Sequence, residues 1–211
     1  MAGSVVQVAS AFSNPTATTL TATFAANTTA GNTLVAIFGT GGTNAPTADS
    51  ADTWTAVTGS PFAENGKDQA AWYVLSCVGG KKTYTFSRSN TGNCSLIVAE
   101  INAPTALDVQ HNASATASAT TSTGSATTTN ASDFLVALFL TDQNYSPANP
   151  GYDSTTLTSG WTWQGSSGPS TGASNNNNNT DVGIATRAVT ATGAYSASVG
   201  TTGAATTTAN L

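Results

Sequence analysis

Residues of the kinds that carry out catalysis are few in this chain and lie far apart. The single histidine is His111, and the only glutamates are Glu64 and Glu100. A catalytic triad or a histidine-rich metal site needs partners for the histidine, and glycoside hydrolysis needs two carboxylates facing each other across a sugar. Neither set stands in a distinctive motif. We therefore expect no enzyme activity, with His111 in a loop and Glu100 pairing with Arg88 or capping a loop.

Two aspartates suggest a different chemistry. Asp49 and Asp52 lie in a segment rich in carbonyl and hydroxyl groups, and calcium binds about six to eight oxygens of these kinds. The EF-hand pattern is missing, and aspartate is also an ordinary turn residue. The sequence predicts no required cofactor, and it leaves two interpretations of Asp49 and Asp52: a calcium site, or turn chemistry.

Aromatic residues of the second half offer a carbohydrate site. Trp161 and Trp163 share one face if they lie on a strand, because side chains alternate with period two. With Tyr145 and Tyr152 in nearby loops, they could form a platform on which sugar rings stack. The same side chains would equally fill a core between two sheets. Both interpretations are kept.

The two cysteines are not expected to form a disulfide. Cys77 ends one predicted strand, and Cys94 begins the next but one. A simple up-down-up meander places them at opposite ends of the sheet, beyond bridging distance. We predict two buried free thiols, since cysteine packs as a small hydrophobic residue.

Composition excludes several classes of partner. Only 7% of the 211 residues are charged, against roughly 25% in typical globular proteins. The net charge of −5 provides no basic surface for nucleic acid. No stretch approaches the ~20 apolar residues of a membrane-spanning helix, and the N-terminus lacks the basic and apolar parts of a signal peptide. We therefore expect synthesis in a cytoplasm without general export, and a surface made of Thr, Ser, Asn and Gly.

Two apolar runs dominate the arrangement of the chain. Residues 31–38 open on Gly-Asn and continue as Thr-Leu-Val-Ala-Ile-Phe, and residues 133–140 repeat the pattern as Asp-Phe-Leu-Val-Ala-Leu-Phe-Leu. Short apolar runs bounded by turn residues are typical of fully buried strands. Each run follows a Thr-rich segment and precedes a tryptophan strand and a predicted hairpin, at Gly79-Gly80 and at Thr192-Gly193. This order is a weak internal repeat, with halves about 1–110 and 111–211.

The predicted fold is all-β. Half of the chain is too small to bury its own apolar face, so we expect both halves to share one domain over residues 1–211. The architecture predicted is a two-sheet antiparallel β-sandwich, jelly-roll-like, with about eight to ten strands.

Four segments carry a resemblance to known proteins: Ala-Gly-Asn-Thr-Leu-Val at 30–35, Asp-Ser-Ala-Asp-Thr-Trp at 49–54, Ala-Trp-Tyr at 71–73 and Ile-Val-Ala-Glu-Ile at 97–101. The chain resembles jelly-roll β-sandwich modules of bacteriophage virion proteins and of bacterial surface proteins. The resemblance covers mainly residues 18–140, and its motifs are turns, strands and packing aromatics. The Gly-Asn pair usual before the tryptophan is replaced by Ala51-Asp52. The resemblance implies a fold and assigns no catalytic residue.

Two functions follow as expectations. The first is a structural protein of a virus or phage particle, such as a capsid decoration, head-fibre or tail-associated module, assembled in the host cytoplasm. It would contact itself or other virion proteins through exposed strand edges and through terminal arms at Met1–Ser10 and Thr201–Leu211. The alternative is a carbohydrate-binding module on a cell or particle surface, which would bind host glycans through the loop aromatics.

Overall fold

Strands make up most of the structure, a computed structural model that describes residues 3–13, 17–41, 46–64, 67–89, 92–102, 106–143, 151–168 and 179–210. The first half contains β1 (Ser4–Ser13), β2 (Thr19–Thr23), β3 (Thr33–Thr40), β4 (Thr55–Ala56), β5 (Phe62–Glu64), β6 (Lys67–Val74), β7 (Thr83–Ser87) and β8 (Cys94–Asn102). The second half contains β9 (Asn112–Ser122), β10 (Ala126–Thr127), β11 (Asp133–Gln143), β12 (Tyr152–Asp153), β13 (Thr162–Ser167), β14 (Asn179–Val189), β15 (Ala194–Tyr195) and β16 (Ser198–Asn210), with a short 3-10 helix at Ser154–Thr156.

The two halves have the same strand order. The large sheet of the first half runs β1-β8-β3-β6-β4, and that of the second runs β9-β16-β11-β14-β13, with β5 and β12 as short additions to β6 and β16. Each half also has a two-stranded sheet, β2-β7 in the first and β10-β15 in the second. Every strand pair is antiparallel. The internal repeat therefore reappears as two units of one topology.

These four sheets stack as layers around three apolar clusters. The first cluster lies between the large first-half sheet and β2-β7, and it includes Phe38, Trp72 and Tyr84. The second lies between the two large sheets, where Ile37 and Ile97 meet residues of the second half such as Ile184. A third cluster covers the far face of the second large sheet. The molecule is thus two sandwiches packed back to back.

This stacking explains why the central strands are continuously apolar. Along β3, Leu34 and Phe38 point into the first cluster, whereas Val35 and Ile37 point into the second. A strand with apolar layers on both faces has no side facing water, so the usual alternation of polar and apolar residues disappears. The same holds for β11, where Phe139 and Leu140 point into different clusters. The prediction of a fully buried central strand is confirmed for β3, whereas β11 is buried from Ala137 to Thr141 and only partly buried at Phe134 and Val136.

The all-β antiparallel sandwich is confirmed, but the described residues form sixteen strands in four sheets. The sequence predicted about half as many strands in two sheets shared by both halves. Each half instead covers one face of its large sheet with its own two-stranded sheet. Only the other face of each large sheet is buried against the other half.

The two predicted hairpins are wrong for a related reason. The turn at Gly79-Gly80 joins β6 to β7, and these strands belong to different sheets. Gly79 has φ +79°, and a Cβ there would lie 2.4 Å from the backbone nitrogen of Ala30, so the position requires glycine. The turn near Gly193 likewise joins β14 to β15, which lie in different layers.

Within the described part of the chain, no helix is long and apolar enough to cross a membrane.

Candidate functional site

The aspartates predicted to bind calcium attach a loop to the first sandwich. The Asp49 carboxylate accepts hydrogen bonds from Lys81 Nζ at 2.6 Å, from the Thr85 backbone N–H at 2.7 Å and from the Ala51 N–H at 2.8 Å. Although burial opposes ionisation, these donors and the Lys81 charge lower the pKa of Asp49. Asp52 accepts from the Val78 N–H at 2.9 Å.

Because of these contacts, the carboxylate oxygens of Asp49 and Asp52 are already occupied by donors from the chain and are poorly placed to bind a calcium ion. Lys81 neutralises Asp49 directly, and the other Asp52 oxygen accepts from the Tyr84 hydroxyl at 3.3 Å. Among the described residues, no group of three or more His, Cys, Asp or Glu is placed to hold a metal ion. Asp49 and Asp52 therefore fix the loop that carries Trp54, whose ring packs edge-on against Tyr84 at 5.9 Å.

The predicted aromatic platform is only partly accessible. Trp161 belongs to the third cluster, is 8% exposed, and donates its indole N–H to the Ser196 carbonyl at 2.9 Å. Its ring is covered and its one donor is used, so it fills the core. Trp163 and Tyr152 are half-buried, with ring centroids 5.3 Å apart and Phe139 packed behind both. Tyr145 lies outside the described residues.

A buried carboxyl adjoins the Trp163–Tyr152 pair. The Tyr152 hydroxyl donates to the backbone carbonyl of Asp181 at 3.1 Å, and both aromatic rings approach Gly183 on the same strand face. Asp181 is almost fully buried, and burial raises its pKa well above the usual range. Its Oδ1 atom has no hydrogen-bond partner among the described residues, and the same is true of Thr141 Oγ1 on the neighbouring strand.

Both cysteines are buried free thiols in the first cluster. The Cys77 backbone N–H bonds to the Asn32 carbonyl at one end of β3, whereas Cys94 pairs with Thr40 at the other end. At about 3.3 Å per residue, the length of β3 separates them by roughly 25 Å. Burial raises the pKa of each thiol. The Cys77 thiol donates to the Thr29 carbonyl at 3.1 Å.

Glu100 has a structural position at the end of β8. It is fully buried, and its carboxylate accepts from the Thr29 backbone N–H at 2.7 Å and from the side chains of Asn32 and Gln7 at 2.6 Å each. Three donors, two from the loop before β3 and one from β1, thus converge on one carboxylate. This is the loop-capping role expected for Glu100, and Arg88 instead bonds to backbone carbonyls.

Each large sheet has an edge strand in an equivalent position. β1 is the first strand of its large sheet and pairs with β8, whereas β9 holds the equivalent position and pairs with β16. Neither strand contains a charged residue or a proline. Natural edge strands commonly carry such residues because they block further pairing. A bulge at Val6 interrupts β1, and Val6 is 49% exposed.

The predicted terminal arms are not arms in the described part of the chain. Residues 4–13 form β1, and residues 198–210 form β16 between β9 and β11. Both segments are uncharged and able to form strands, and each pairs with strands of its own half. β1 lies at the edge of its sheet, whereas β16 lies inside its sheet.

A cavity of about 150 Å³ lies between the two sandwiches. Its walls come from the inner face of the first large sheet, from the start of β11 and from residues 106–110, which connect the halves. Val35, Tyr73 and Ile101 line one side, and Phe134 and Leu138 line the other. No motif in the sequence indicated this cavity.

Two carboxyls meet at the polar end of the cavity. Asp108 accepts hydrogen bonds from the Thr129 hydroxyl and from the Thr129 N–H, the latter at 2.7 Å, and these bonds lower the pKa of Asp108. Burial and the adjacent Asp108 carboxyl raise the pKa of Asp133. Asp133 Oδ2 is buried and accepts no N–H or O–H from a neighbouring residue. Sequence reasoning missed this pair because Asp133 was only the first residue of an apolar run.

No protein-family model matches this chain, and a search of curated proteins found no relative.

Proposed function

We propose that this chain is a non-enzymatic structural module of a phage or virus particle, such as a capsid decoration, head-fibre or tail-associated protein. It acts through self-association along the edges of its two large sheets. The observation that carries this proposal is the pair of uncharged edge strands, β1 and β9, in equivalent positions of the two sandwiches. We also propose that its strands follow a jelly-roll arrangement and that the protein is located in the virion.

Because the chain has two separate edge strands, the arrangement supports assembly of many copies and not only a dimer. An exposed edge presents unpaired backbone N–H and C=O groups on which another strand can align. Two such edges on one chain allow β1 of one copy to pair with β9 of the next. This head-to-tail contact closes into a ring or continues as a filament, depending on the rotation between copies. The low charge of the surface suits such contacts because neighbouring copies repel each other little.

Light scattering across a concentration series tests the proposal. We expect a discrete oligomer or a growing polymer, and we expect the mass to fall in Val6→Lys and in Ser114→Lys, which place a charge on the exposed edges of β1 and β9. Val78→Lys is the matched control, because Val78 is 76% exposed in the turn between β6 and β7. A strict monomer at all concentrations, or an equal effect of the control, would contradict self-association through these edges.

A second candidate is carbohydrate binding on a cell or particle surface. It is supported by the partly exposed pair Trp163 and Tyr152, which lies beside the buried Asp181 Oδ1 atom. Sugar sites combine an aromatic face with a few polar groups. A glycan-binding screen with Trp163→Ala, alongside the core variant Trp161→Phe, tests this function. Binding that survives Trp163→Ala, or a blank screen with the unaltered protein, counts against it.

A further inference from the structure

We propose that the cavity between the two sandwiches binds a small organic ammonium ion whose apolar body is about the size of one aromatic ring. This site is independent of the edge strands and of any role in a particle. The volume of the cavity, its apolar walls and its acidic end all fit such a ligand.

The volume sets the size of the ligand. An engineered apolar cavity of about 150 Å³ in another protein stays dry and binds benzene. The cavity here has about the same volume, and aliphatic and aromatic side chains dominate its walls. It therefore suits one ring or a short branched chain and excludes a disaccharide or a nucleotide.

The position of the cavity makes it accessible from outside. Residues 106–110 cross its outer side, and Leu107 lines the cavity while remaining 45% exposed. This segment connects β8 to β9 and belongs to neither sheet. A ligand can therefore enter by displacing the Leu107 side chain without opening a β-ladder.

Charge determines the polar group of the ligand. The described lining includes Asp108 and Asp133 but no lysine, arginine or histidine. Asp108 already accepts from Thr129, and the Gln110 side-chain oxygen accepts from the Thr58 N–H at 2.6 Å. Asp133 Oδ2 is left buried without an N–H or O–H donor from another residue. A ligand that brings its own donor and a positive charge satisfies this oxygen.

The contact between the two carboxyls also favours a cation. Two adjacent carboxylates repel each other, so ionising both is unfavourable. An ammonium group donating to Asp133 places a positive charge beside both carboxyls and offsets this repulsion. The bond formed is a charge-assisted hydrogen bond, which is about twice as strong as a neutral one. A neutral alcohol of the same shape gains the apolar contacts but not this bond.

Benzylamine and benzyl alcohol are therefore the two probes. Each is titrated into the full chain while amide cross-peaks of lining residues such as Val35 and Leu138 are followed by NMR. We expect both to shift these cross-peaks and benzylamine to bind about tenfold more tightly, which corresponds to one charge-assisted bond.

Variants separate the two parts of the site. Asp133→Asn should weaken benzylamine about tenfold and leave benzyl alcohol unchanged. Asp153→Asn is the matched control, because Asp153 caps the short helix on an exposed surface. Val136→Phe should fill the cavity and abolish binding of both probes. Ala106→Phe does so from the connecting segment, should Val136→Phe fail to fold.

Each remaining outcome overturns the proposal. Absence of cross-peak shifts with either probe shows that the cavity takes no ligand of this size. Equal affinities for the two probes, or benzylamine binding that is insensitive to Asp133→Asn, show that the carboxyl pair does not select a cation. Binding that persists in both filling variants places the probe elsewhere on the protein.

Discussion

Glu100 offers a sharp test of what holds the first sandwich together. Its buried carboxylate accepts from the Thr29 backbone, from Asn32 and from Gln7, so it connects β8 to the loop before β3 and to the edge strand β1. Glu100→Gln keeps the volume but turns one oxygen into an NH₂ group. That group must then face one of the three donors. The Gln7 amide cannot turn to accept it without losing its own bonds to Ala26.

The magnitude follows from the number of donors. A buried hydrogen bond to a charged group contributes about 1.5–3 kcal/mol, and leaving a buried donor unsatisfied costs about 1–3 kcal/mol. Glu100→Gln disrupts one contact of three, so we expect a loss of about 1.5–3 kcal/mol in the free energy of unfolding. Glu100→Ala removes both acceptor oxygens and all three hydrogen bonds, and it should cost about 4 kcal/mol, a large part of the roughly 5–15 kcal/mol typical of a domain.

Urea unfolding measures these losses, with an unchanged m-value as the sign that the unfolded state is unaffected. In a Gln7→Ala background the conflicting donor is gone, so Glu100→Gln should cost about 1 kcal/mol less than in the unaltered protein. The control is Asp153→Asn, the same change of carboxylate to amide at an exposed cap, for which we expect about 1 kcal/mol or less. A Glu100→Gln protein as stable as the unaltered chain would refute the reasoning.

Three further predictions concern buried groups. Burial raises the pKa of Asp181, so the folded protein holds that proton more tightly than the unfolded chain, and this contribution to stability is lost as the pH rises from the ordinary carboxyl range through the folded pKa. In Asp181→Asn, the fall in melting temperature that this proton causes as the pH rises should be absent. Plots of melting temperature against pH that run parallel for the variant and the unaltered protein would contradict this prediction. Gly183→Ala places a methyl group 2.5 Å from the Trp163 ring, so we expect a loss of about 1–3 kcal/mol and a shifted tryptophan emission, and unchanged emission would count against this packing. Cys77 and Cys94 should react with a thiol reagent only as fast as the protein unfolds, whereas rapid labelling of the native protein would show that one is accessible.

The central strands could be predicted from sequence because their signal is local. Residues 34–38 and 134–140 are apolar at every position, a pattern typical of strands with apolar layers on both faces. The repeat could be predicted for the same reason, since its elements recur in the same order. Gly79 also marked a turn correctly, because a positive φ favours glycine whichever strands it joins.

Sheet membership could not be predicted, because period-two alternation shows which face is buried and not which strand lies beside it. Thr83–Ser87 alternates like a hairpin partner of the preceding strand, yet it pairs with Thr19–Thr23 in another layer. The carboxyl pair of Asp108 and Asp133 was hidden for a similar reason. These residues meet only because the connecting segment folds over the start of β11. Trp161 is buried and Trp163 is partly exposed, and this difference comes from how each ring packs against the rest of the fold.

The position of the last strand of each half has a consequence for folding. In both large sheets this strand, β8 or β16, inserts between the first and the third strands of its half. Neither sheet can close until its final strand is available, and most of the pairings join residues far apart in the chain. High contact order of this kind slows folding, because loops must close before the contacts that stabilise them form. We therefore expect slow folding in which the first and second halves close as separate cooperative steps. Removal of β8 or β16 should detach the edge strand, β1 or β9, from the rest of its sheet.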